Sequence, residues 1–557
     1  MAVVLVAVGL SIGTIFIILR SENAFTKLKN ITKGKEIKMK RVLTSILILT
    51  VVTSLALVVT GCPPKPAEEV IEEPTTTEEE VAPPVPEEEE EFTLVIRMMD
   101  SQDKWFKENI IPQFEEEYDV TIKVISFDKM WDIETMLKME RDSGNFTIGL
   151  VKTPLEMTRV LTAPERDFLQ PFDDIMEADE LTNLKEEYDS LAIKMGTIEG
   201  KLYYLPRKLE TRMMIYLKPK VEEAVANWQN FEAEIVASLK EVNEYGLPAG
   251  YTLEADPNEW DYYDIFVVSY YWANTPYFGI EMPRMAHRGK RYGGTVQGLV
   301  DRAYNMDATQ DDILKMNSDP VVDMFEWEAV YRKYNLYNEG MWVDPWSGGG
   351  IWNAMKDGKV FLAMMHQIDC FFIHGGTHPT MEGYLVDPDD LGEAVMPLGV
   401  SVGLDADGKP VRVGSKKASS GGWWWSIPKT APYPELSVEL AKWITNYDNH
   451  LAECKTFGMM PVRKDILDNL GEAFPEGWMG EVFATSISQL ELNGENTVPL
   501  IAEYSNVGIN YLDAWYDIVV DENYGEAEKV DRDYIKKVLD ETYVPEQKSI
   551  LGEGYPE

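Results

Sequence analysis

The chain is long and strongly acidic. Its 557 residues carry 52 lysines and arginines against 95 aspartates and glutamates, which gives a formal net charge of −43. Such a charge repels nucleic acids and anionic lipid headgroups, and it argues against both as partners. The hydrophobic fraction of 45% is that of an ordinary globular protein. The length is sufficient for two or three domains with large cores.

An apolar stretch near the start of the chain, residues 42–59, has the organisation of a secretion signal. Lys40 and Arg41 precede it, and small residues lead from it to Cys62. This pattern resembles a bacterial lipoprotein signal, which is cleaved just before a cysteine that becomes lipidated. We therefore predict a signal peptide at residues 39–61 and a lipid anchor at Cys62 on the outer face of a membrane. The alternative is a plain transmembrane helix.

A second apolar stretch, residues 2–19, lies before this signal. It has no basic residue ahead of it, and basic residues follow it instead, an order typical of a helix whose N-terminus is outside. The first 38 residues are therefore either an over-extended start, with translation beginning at Met39, or an additional membrane segment.

The segment after the signal, residues 62–91, is rich in Pro, Glu and Thr. It has almost no apolar side chains to bury, and its like charges repel each other. This composition predicts an extended, disordered tether that holds the folded part away from the membrane.

Strand-like and helix-like segments alternate after the tether. Apolar runs at residues 92–97, 120–125 and 146–151 have the character of buried strands, and segments with helical spacing separate them. This alternation predicts an α/β fold with a mainly parallel sheet flanked by helices. Ligands of such sheets bind beyond the carboxyl ends of the strands, which nominates residues 98–101 and 152–153 as parts of a site.

The middle of the chain, residues 228–337, is helical and unusually rich in tryptophan and tyrosine. No repeat of fixed period is evident, which argues against a solenoid. We assign the aromatic cluster at residues 260–272 to helix core and leave it out of the site. Two cysteines, Cys370 and Cys454, remain besides Cys62; they either form one disulfide or stay as buried thiols.

Three segments carry recognisable motifs in a fixed order. The first, at residues 198–218, reads IEGKLYYLP and then IYLK, with Leu217 in place of the usual asparagine. The second lies at residues 352–365 around a Gly-Lys-Val triplet. The third, at residues 421–465, begins GGWWWSIPK and ends GMMPVRKD. Together they resemble the family 1 extracellular solute-binding proteins of ABC importers, and the match spans residues 92–544.

This resemblance implies a two-lobed periplasmic-binding-protein fold with a hinge between the lobes, each lobe being a mainly parallel sheet flanked by helices. Lobe 1 would comprise residues 92–206 and 419–462, and lobe 2 residues 207–418 and 463–557. The implied function is that of a monomeric, extracytoplasmic receptor. It would capture a carbohydrate, specifically an oligosaccharide, in the cleft between the lobes and deliver it to the permease subunits of the importer. No enzymatic activity, cofactor or metal is expected.

Four functions remain open at this point. The chain is either a sugar receptor, a receptor for peptides or another polar solute, a glycoside hydrolase with paired carboxylates, or a surface-layer or adhesion component. The hydrolase has little specific support, because two carboxylates can always be paired in a chain with this many acidic residues.

Polar candidates for the site follow from the chemistry of sugars, whose hydroxyls bind charged and polar side chains. Glu210 falls in register with an acidic ligand-binding residue of the maltose-binding members of the family, and Arg207 is included beside it. The alternative for Glu210 is a solvated hinge carboxylate paired with Arg207 or Arg212. His366 and Asp369 follow the second motif, where the family places a cleft loop; the alternative is a histidine with satisfied hydrogen bonds at a strand end.

Aromatic candidates are expected because sugar rings have apolar faces. Trp423 and Trp424 begin the third motif, and since side chains of a strand alternate between its faces, one of them lines the cleft and the other is core. Trp346, next to a run of glycines, is either a mobile aromatic flap or part of a packed loop.

Overall fold

The computed structural model describes residues 91–96, 100–127, 132–276, 282–377, 381, 383–474, 477–526 and 529–557. These residues belong to one packed unit. The first 38 residues, the signal, Cys62, all of the tether except Glu91, and residues 98–99 of the nominated segment 98–101 lie outside the described residues. Residues 100–101 begin the helix Asp100–Asn109.

The strands are short and widely spaced along the chain. In chain order they are β1 (Glu91–Ile96), β2 (Thr121–Ser126), β3 (Ile148–Pro154), β4 (Leu169–Gln170), β5 (Thr197–Ile198), β6 (Lys201–Leu202), β7 (Tyr204–Glu210), β8 (Arg212–Leu217), β9 (Arg284–Ala286), β10 (Val360–His366), β11 (Leu391–Ala394) and β12 (Gly421–Pro428).

Helices connect and cover these strands. Those before β10 are Asp100–Asn109, Ile111–Tyr118, Asp132–Ser143, Thr158–Thr162, Ala178–Glu186, Ser190–Gly196, Lys218–Asn227, Glu232–Asn243, Tyr262–Asn274, Gly293–Asn305, Gln310–Lys315, Asp319–Lys333, Gly340–Val343 and Gly348–Lys356. Those after it are Gln367–His374, Pro434–Ile444, Tyr447–Phe457, Lys464–Leu467, Leu470–Ala473, Trp478–Asn493, Tyr504–Trp515, Arg532–Val538 and Val544–Leu551. Within the described part of the chain, none of the helices combines the length and the apolar character that crossing a bilayer requires.

The first sheet has the order β2-β1-β3-β12-β4, and β7 also pairs with β12. The strands β2 and β3 lie parallel to β1, as the alternation of strands and helices predicts. The long strand β12 arrives from much later in the chain and runs antiparallel to β3, β4 and β7. The helix Pro434–Ile444 packs on β3 and β12. Residues 152–153 therefore lie at the carboxyl end of β3, where the sequence analysis placed them.

The second sheet has the order β11-β8-β10-β9. Only β9 and β10 are parallel; β8 runs antiparallel to β10 and β11. The expectation of a mainly parallel second sheet is therefore wrong in this detail, because β8 enters directly from the first sheet and not through a crossover helix. The helix Trp478–Asn493 packs on β8 and β11. The two-lobed α/β architecture itself agrees with the prediction.

Two extended segments join the sheets. The chain passes from β7 to β8 through the single residue Thr211, and it returns just before β12 through Ser420. The Asn493 side-chain amide donates hydrogen bonds to both hydroxyls, at 2.9 Å to Thr211 Oγ1 and 3.3 Å to Ser420 Oγ. The Gln367 side chain also holds Thr211, since its Oε1 accepts from the Thr211 N–H at 3.1 Å. The two crossings are thus tied to each other at one point.

The aromatic middle of the chain is core. In the helix Tyr262–Asn274, all the side chains from Tyr262 to Trp272 are buried, so this helix has no solvent-facing stripe. Its rings pack against the ring of Trp327 on the neighbouring helix Asp319–Lys333. Both Cys370 and Cys454 are buried and free, so of the two alternatives the structure has the unpaired thiols.

Candidate functional site

A cavity of about 330 Å³ lies where the first crossing leaves the first sheet, and both sheets contribute to its walls. The side of the first sheet supplies Gln102, Phe127, Lys152, Pro154, Glu156, Lys208, Glu210, Gly422 and Trp423. The side of the second sheet supplies Arg288, Tyr292, Gly294, Gln297, Ser347, Gly348, Gly349, Trp352, His366, Ile368, Asp369 and Phe372. Aromatic rings and charged groups therefore face the same space.

Glu210, at the end of β7, is the central carboxylate of the first wall. Its Oε1 is ion-paired with the Lys208 ammonium, and its Oε2 accepts a hydrogen bond from Trp423 Nε1 at 3.2 Å. His366 Nδ1 lies 3.9 Å from the same Oε2. Burial opposes the charge of this carboxylate, but Lys208 and Lys152 outweigh that effect and hold the pKa of Glu210 below its ordinary value. Glu210 is thus a charged acceptor fixed by its neighbours.

Two lysines of the first wall are almost completely buried, with 3% exposure for Lys152 and 4% for Lys208. The Lys152 ammonium lies 4.4 Å from the centre of the Trp423 ring, in cation–π geometry. Burial, together with repulsion from Arg207 and Lys208, holds the pKa of Lys152 well below its usual value. The pKa of Lys208 is lowered by burial as well, although Glu210 opposes this shift.

Asp369 is a carboxylate fixed by its neighbours on the side of the second sheet, as Glu210 is on the side of the first. Its Oδ2 accepts from Arg288 Nη2 at 2.9 Å and from the backbone N–H of His366 at 3.0 Å, while its Oδ1 accepts from Trp352 Nε1 at 3.0 Å. The Trp352 ring stacks on Phe372, with centroids 4.6 Å apart. Asp369 therefore holds both an arginine and a tryptophan at the cavity.

His366, at the end of β10, is neutral in this setting. Burial is the largest cause, and the positive charges of Arg212, Arg288 and Lys208 add to it, so that the pKa of His366 lies well below its usual value. A neutral imidazole in this position can donate one hydrogen bond and accept another.

Four of the seven predicted site residues line this cavity: Glu210, His366, Asp369 and Trp423. The other three do not. Trp424 is fully buried and its Nε1 donates to the Ala192 carbonyl at 3.1 Å, so that of the two tryptophans it is the core residue. The geometry thus selects Trp423 for the cavity wall.

Arg207 and Trp346 also need correction as site residues. Arg207 is fully buried and ion-paired with Glu453, because its position on β7 points it into the first lobe and away from the cavity. Trp346 is held in a packed loop: its carbonyl accepts from the N–H groups of Gly289 and Lys290, both at 3.1 Å. Its ring lies so close to the neighbouring glycines that an added Cβ would overlap it, which excludes a free flap in this conformation.

Sequence reasoning missed several residues of the cavity. Arg288 follows the three-residue strand β9, which carries no motif, and only the contact with Asp369 brings it to the site. Trp352 begins the second motif, and that position is the signal from which it could be predicted. Gly294 and Gln297 come from the first turns of a helix that the sequence analysis assigned to the middle region.

Two α/β lobes, two crossing segments and a polar, aromatic cavity between the sheets define the class: this is a two-lobed periplasmic-binding-protein fold. The model of the bacterial extracellular solute-binding protein family matches residues 109–478, more than half of the chain. The chain belongs to this family, which acts outside the cytoplasm. The resemblance drawn from the three motifs is thereby confirmed.

Solved structures share this fold at low sequence identity. Maltose-bound MalE3 of T. maritima is 17% identical and matches with a TM-score of 0.58, covering 83% of this chain and 100% of that chain. An ABC transporter solute-binding protein of Thermotoga lettingae bound with alpha-D-tagatose gives the same four values. The maltotriose-binding protein of Thermus thermophilus is 15% identical, with a TM-score of 0.54, 83% of this chain and 100% of that one. No curated protein matches the sequence.

Proposed function

We propose that this chain is the substrate-binding receptor of an ABC importer and that its ligand is a carbohydrate. One arrangement supports the ligand class most strongly: Trp423 and Trp352, from different sides of the cavity, are each anchored through the indole N–H to a carboxylate. A sugar offers an apolar C–H face to such rings and a girdle of hydroxyls to the charged groups beside them. The maltose-bound and maltotriose-bound structures that share the fold support the same class.

The mechanism we propose is capture by closure. The lobes would move about the two crossing segments, where Asn493 ties Thr211 to Ser420, and would enclose the sugar between Trp423 and the Arg288–Asp369 pair. The receptor would then deliver the sugar to the permease subunits. We propose no catalysis, because Glu210 and Asp369 are both held as acceptors by donors of the chain itself.

The location and the domain limits belong to the same proposal. Lipidation at Cys62 would anchor a monomer to the outer face of the membrane, with residues 62–91 as the tether. The first limit expected at residue 206 moves to residue 210, because β7 pairs with β12 in the first sheet as far as Glu210. Lobe 1 would then be residues 92–210 and 419–462, and lobe 2 residues 211–418 and 463–557. The packing of the helix Trp478–Asn493 on the second sheet supports the assignment of the C-terminal region to lobe 2.

A thermal-shift screen with saccharides and peptides tests the ligand class. A ligand that binds only the folded protein stabilises it by about 2.7 kcal/mol at a hundredfold excess over the dissociation constant. We expect at least one saccharide to raise the melting temperature of the wild type and to raise that of a Trp423→Ala variant much less. Peptides that stabilise the protein when no saccharide does would contradict the proposal and favour a peptide receptor.

A further inference from the structure

The cavity presents cations to a ligand, although the whole chain is acidic. Its lining includes three cations, Lys152, Lys208 and Arg288, and three carboxylates. Two of those carboxylates, Glu210 and Asp369, already accept hydrogen bonds or ion pairs from several side chains of the protein.

Donors remain after these carboxylates are satisfied. Lys208 has three N–H groups and gives one of them to Glu210. Arg288 gives Nη2 to Asp369, and its buried Nε has no hydrogen-bond partner among the described residues. A ligand that satisfies these remaining N–H groups must therefore carry hydrogen-bond acceptors. A negatively charged acceptor makes the strongest hydrogen bonds to such donors.

The backbone adds positive potential from two directions. The helix Gly293–Asn305 begins at the cavity, where Gly294 lines the wall, and the helix Gly348–Lys356 begins there with Gly348 and Gly349. Among the described residues, the N-cap side chains of these helices, Tyr292 and Ser347, make no capping hydrogen bond. The N–H groups of an uncapped first turn, together with the helix dipole, favour an anion.

The charge of −43 does not cancel this local preference. Exposed charges are screened over about 8 Å at physiological ionic strength, whereas buried groups are screened much less. Lys152 and Lys208 are buried beside the cavity, and Arg207 behind them adds to the mutual repulsion of the cations. An anion in the cavity would relieve that repulsion.

We propose that the ligand is an acidic saccharide whose carboxylate or sulfate binds among Lys152, Lys208 and Arg288 of the cavity. This inference rests on the proposed function, since it names the class of sugar that the receptor takes. The sugar rings would pack on Trp423 and Trp352. The anionic group would accept hydrogen bonds from the remaining donors of Lys208 and Arg288.

Matched probes test the inference on the wild-type protein. Trigalacturonate, triglucuronate and trimannuronate are compared by titration calorimetry with their methyl esters, which keep the shape and lose the charge. A sulfated carrageenan tetrasaccharide is compared with its desulfated form, so that the two sources of negative charge are distinguished. We expect at least one acidic probe to bind about tenfold or more tightly than its neutral partner.

Variants then assign the preference to the cavity. Lys152→Gln should reduce the ratio of acidic to neutral affinity by about tenfold. Lys104→Gln, on an exposed helix surface with the Lys104 side chain 61% exposed, is the matched control and should leave the ratio unchanged. Should Lys152→Gln fail to fold, the wild-type ratio decides alone.

The outcomes separate this inference from the proposed function. Neutral sugars that bind as tightly as the acidic ones, or more tightly, would overturn the acidic preference and leave the sugar receptor intact. Peptide binding without any saccharide binding would overturn the proposed function together with the inference. A preference for acidic probes that survives unchanged in Lys152→Gln, or that falls equally in Lys104→Gln, would also refute the assigned site.

Discussion

Alanine substitution of the adjacent tryptophans Trp423 and Trp424 should give opposite phenotypes. Trp424 is fully buried and its indole N–H satisfies the Ala192 carbonyl. Removing a buried tryptophan costs about 3 to 5 kcal/mol, and the orphaned carbonyl adds about 1 kcal/mol or more. We therefore expect Trp424→Ala to lower the free energy of unfolding by at least about 3 kcal/mol, with or without ligand.

Trp423 should behave as a ligand contact. Its ring borders the cavity, and it interacts with Glu210 and Lys152, which are themselves wall residues. An aromatic platform contributes on the order of 1 to 3 kcal/mol to sugar binding, which corresponds to roughly fivefold to 150-fold in affinity. The unliganded protein should lose only about 1 kcal/mol, because Glu210 keeps its ion pair with Lys208.

The assay pairs guanidinium unfolding of the unliganded variants with titration of the saccharide that stabilises the wild type best. Trp424→Ala should shift the unfolding midpoint strongly, and the affinity of its folded fraction should stay near that of the wild type. The reasoning is refuted when Trp423→Ala binds the sugar as tightly as the wild type, or when Trp424→Ala weakens binding at unchanged stability.

Three further predictions concern anchoring, pH and the thiols. Cys62→Ser should release the protein from membranes and abolish labelling with a radioactive fatty acid; continued labelling would contradict the lipoprotein assignment. Burial beside Asp323 raises the pKa of Glu326 to about 8 from 4.5, so the folded state holds a proton that the unfolded state loses. Stability should therefore fall as the pH rises between these values, by at most about 1.4 kcal/mol per pH unit, and Glu326→Gln should flatten this slope in pH-dependent unfolding; an unchanged slope would show that another group causes it. Burial raises the pKa of both Cys370 and Cys454 thiols, so a thiol reagent should modify them only after unfolding, and fast labelling of the native protein would contradict their burial.

Local pattern and topology rules were sufficient for the parallel strands of the first sheet, but not for the antiparallel strand β12. The apolar runs predicted β1, β2 and β3, and the rule for parallel sheets placed Lys152 at the cavity, although its neighbour Thr153 is buried and does not line it. Motif register placed Glu210, His366 and Asp369 at the cavity. The strands follow from spacing along the chain, which a single sequence records, whereas these three side chains were placed by the resemblance of the motifs to a known family.

The site residues that could not be predicted from the sequence depend on contacts with residues far away in the chain. The alternation of a strand separates Trp423 from Trp424 but does not say which face meets the core, and that choice depends on packing against Ala192. Arg207 was misassigned because its partner, Glu453, lies in a helix far along the chain. Arg288 was missed because only the folded structure brings it to Asp369.

The most direct test of the central claim is a crystal structure of the protein with the saccharide that stabilises it best. We predict density for the sugar in the cavity, in contact with Trp423 from the first sheet and with the Arg288–Asp369 pair from the second. A saccharide bound elsewhere on the surface, with the cavity empty, would contradict the account.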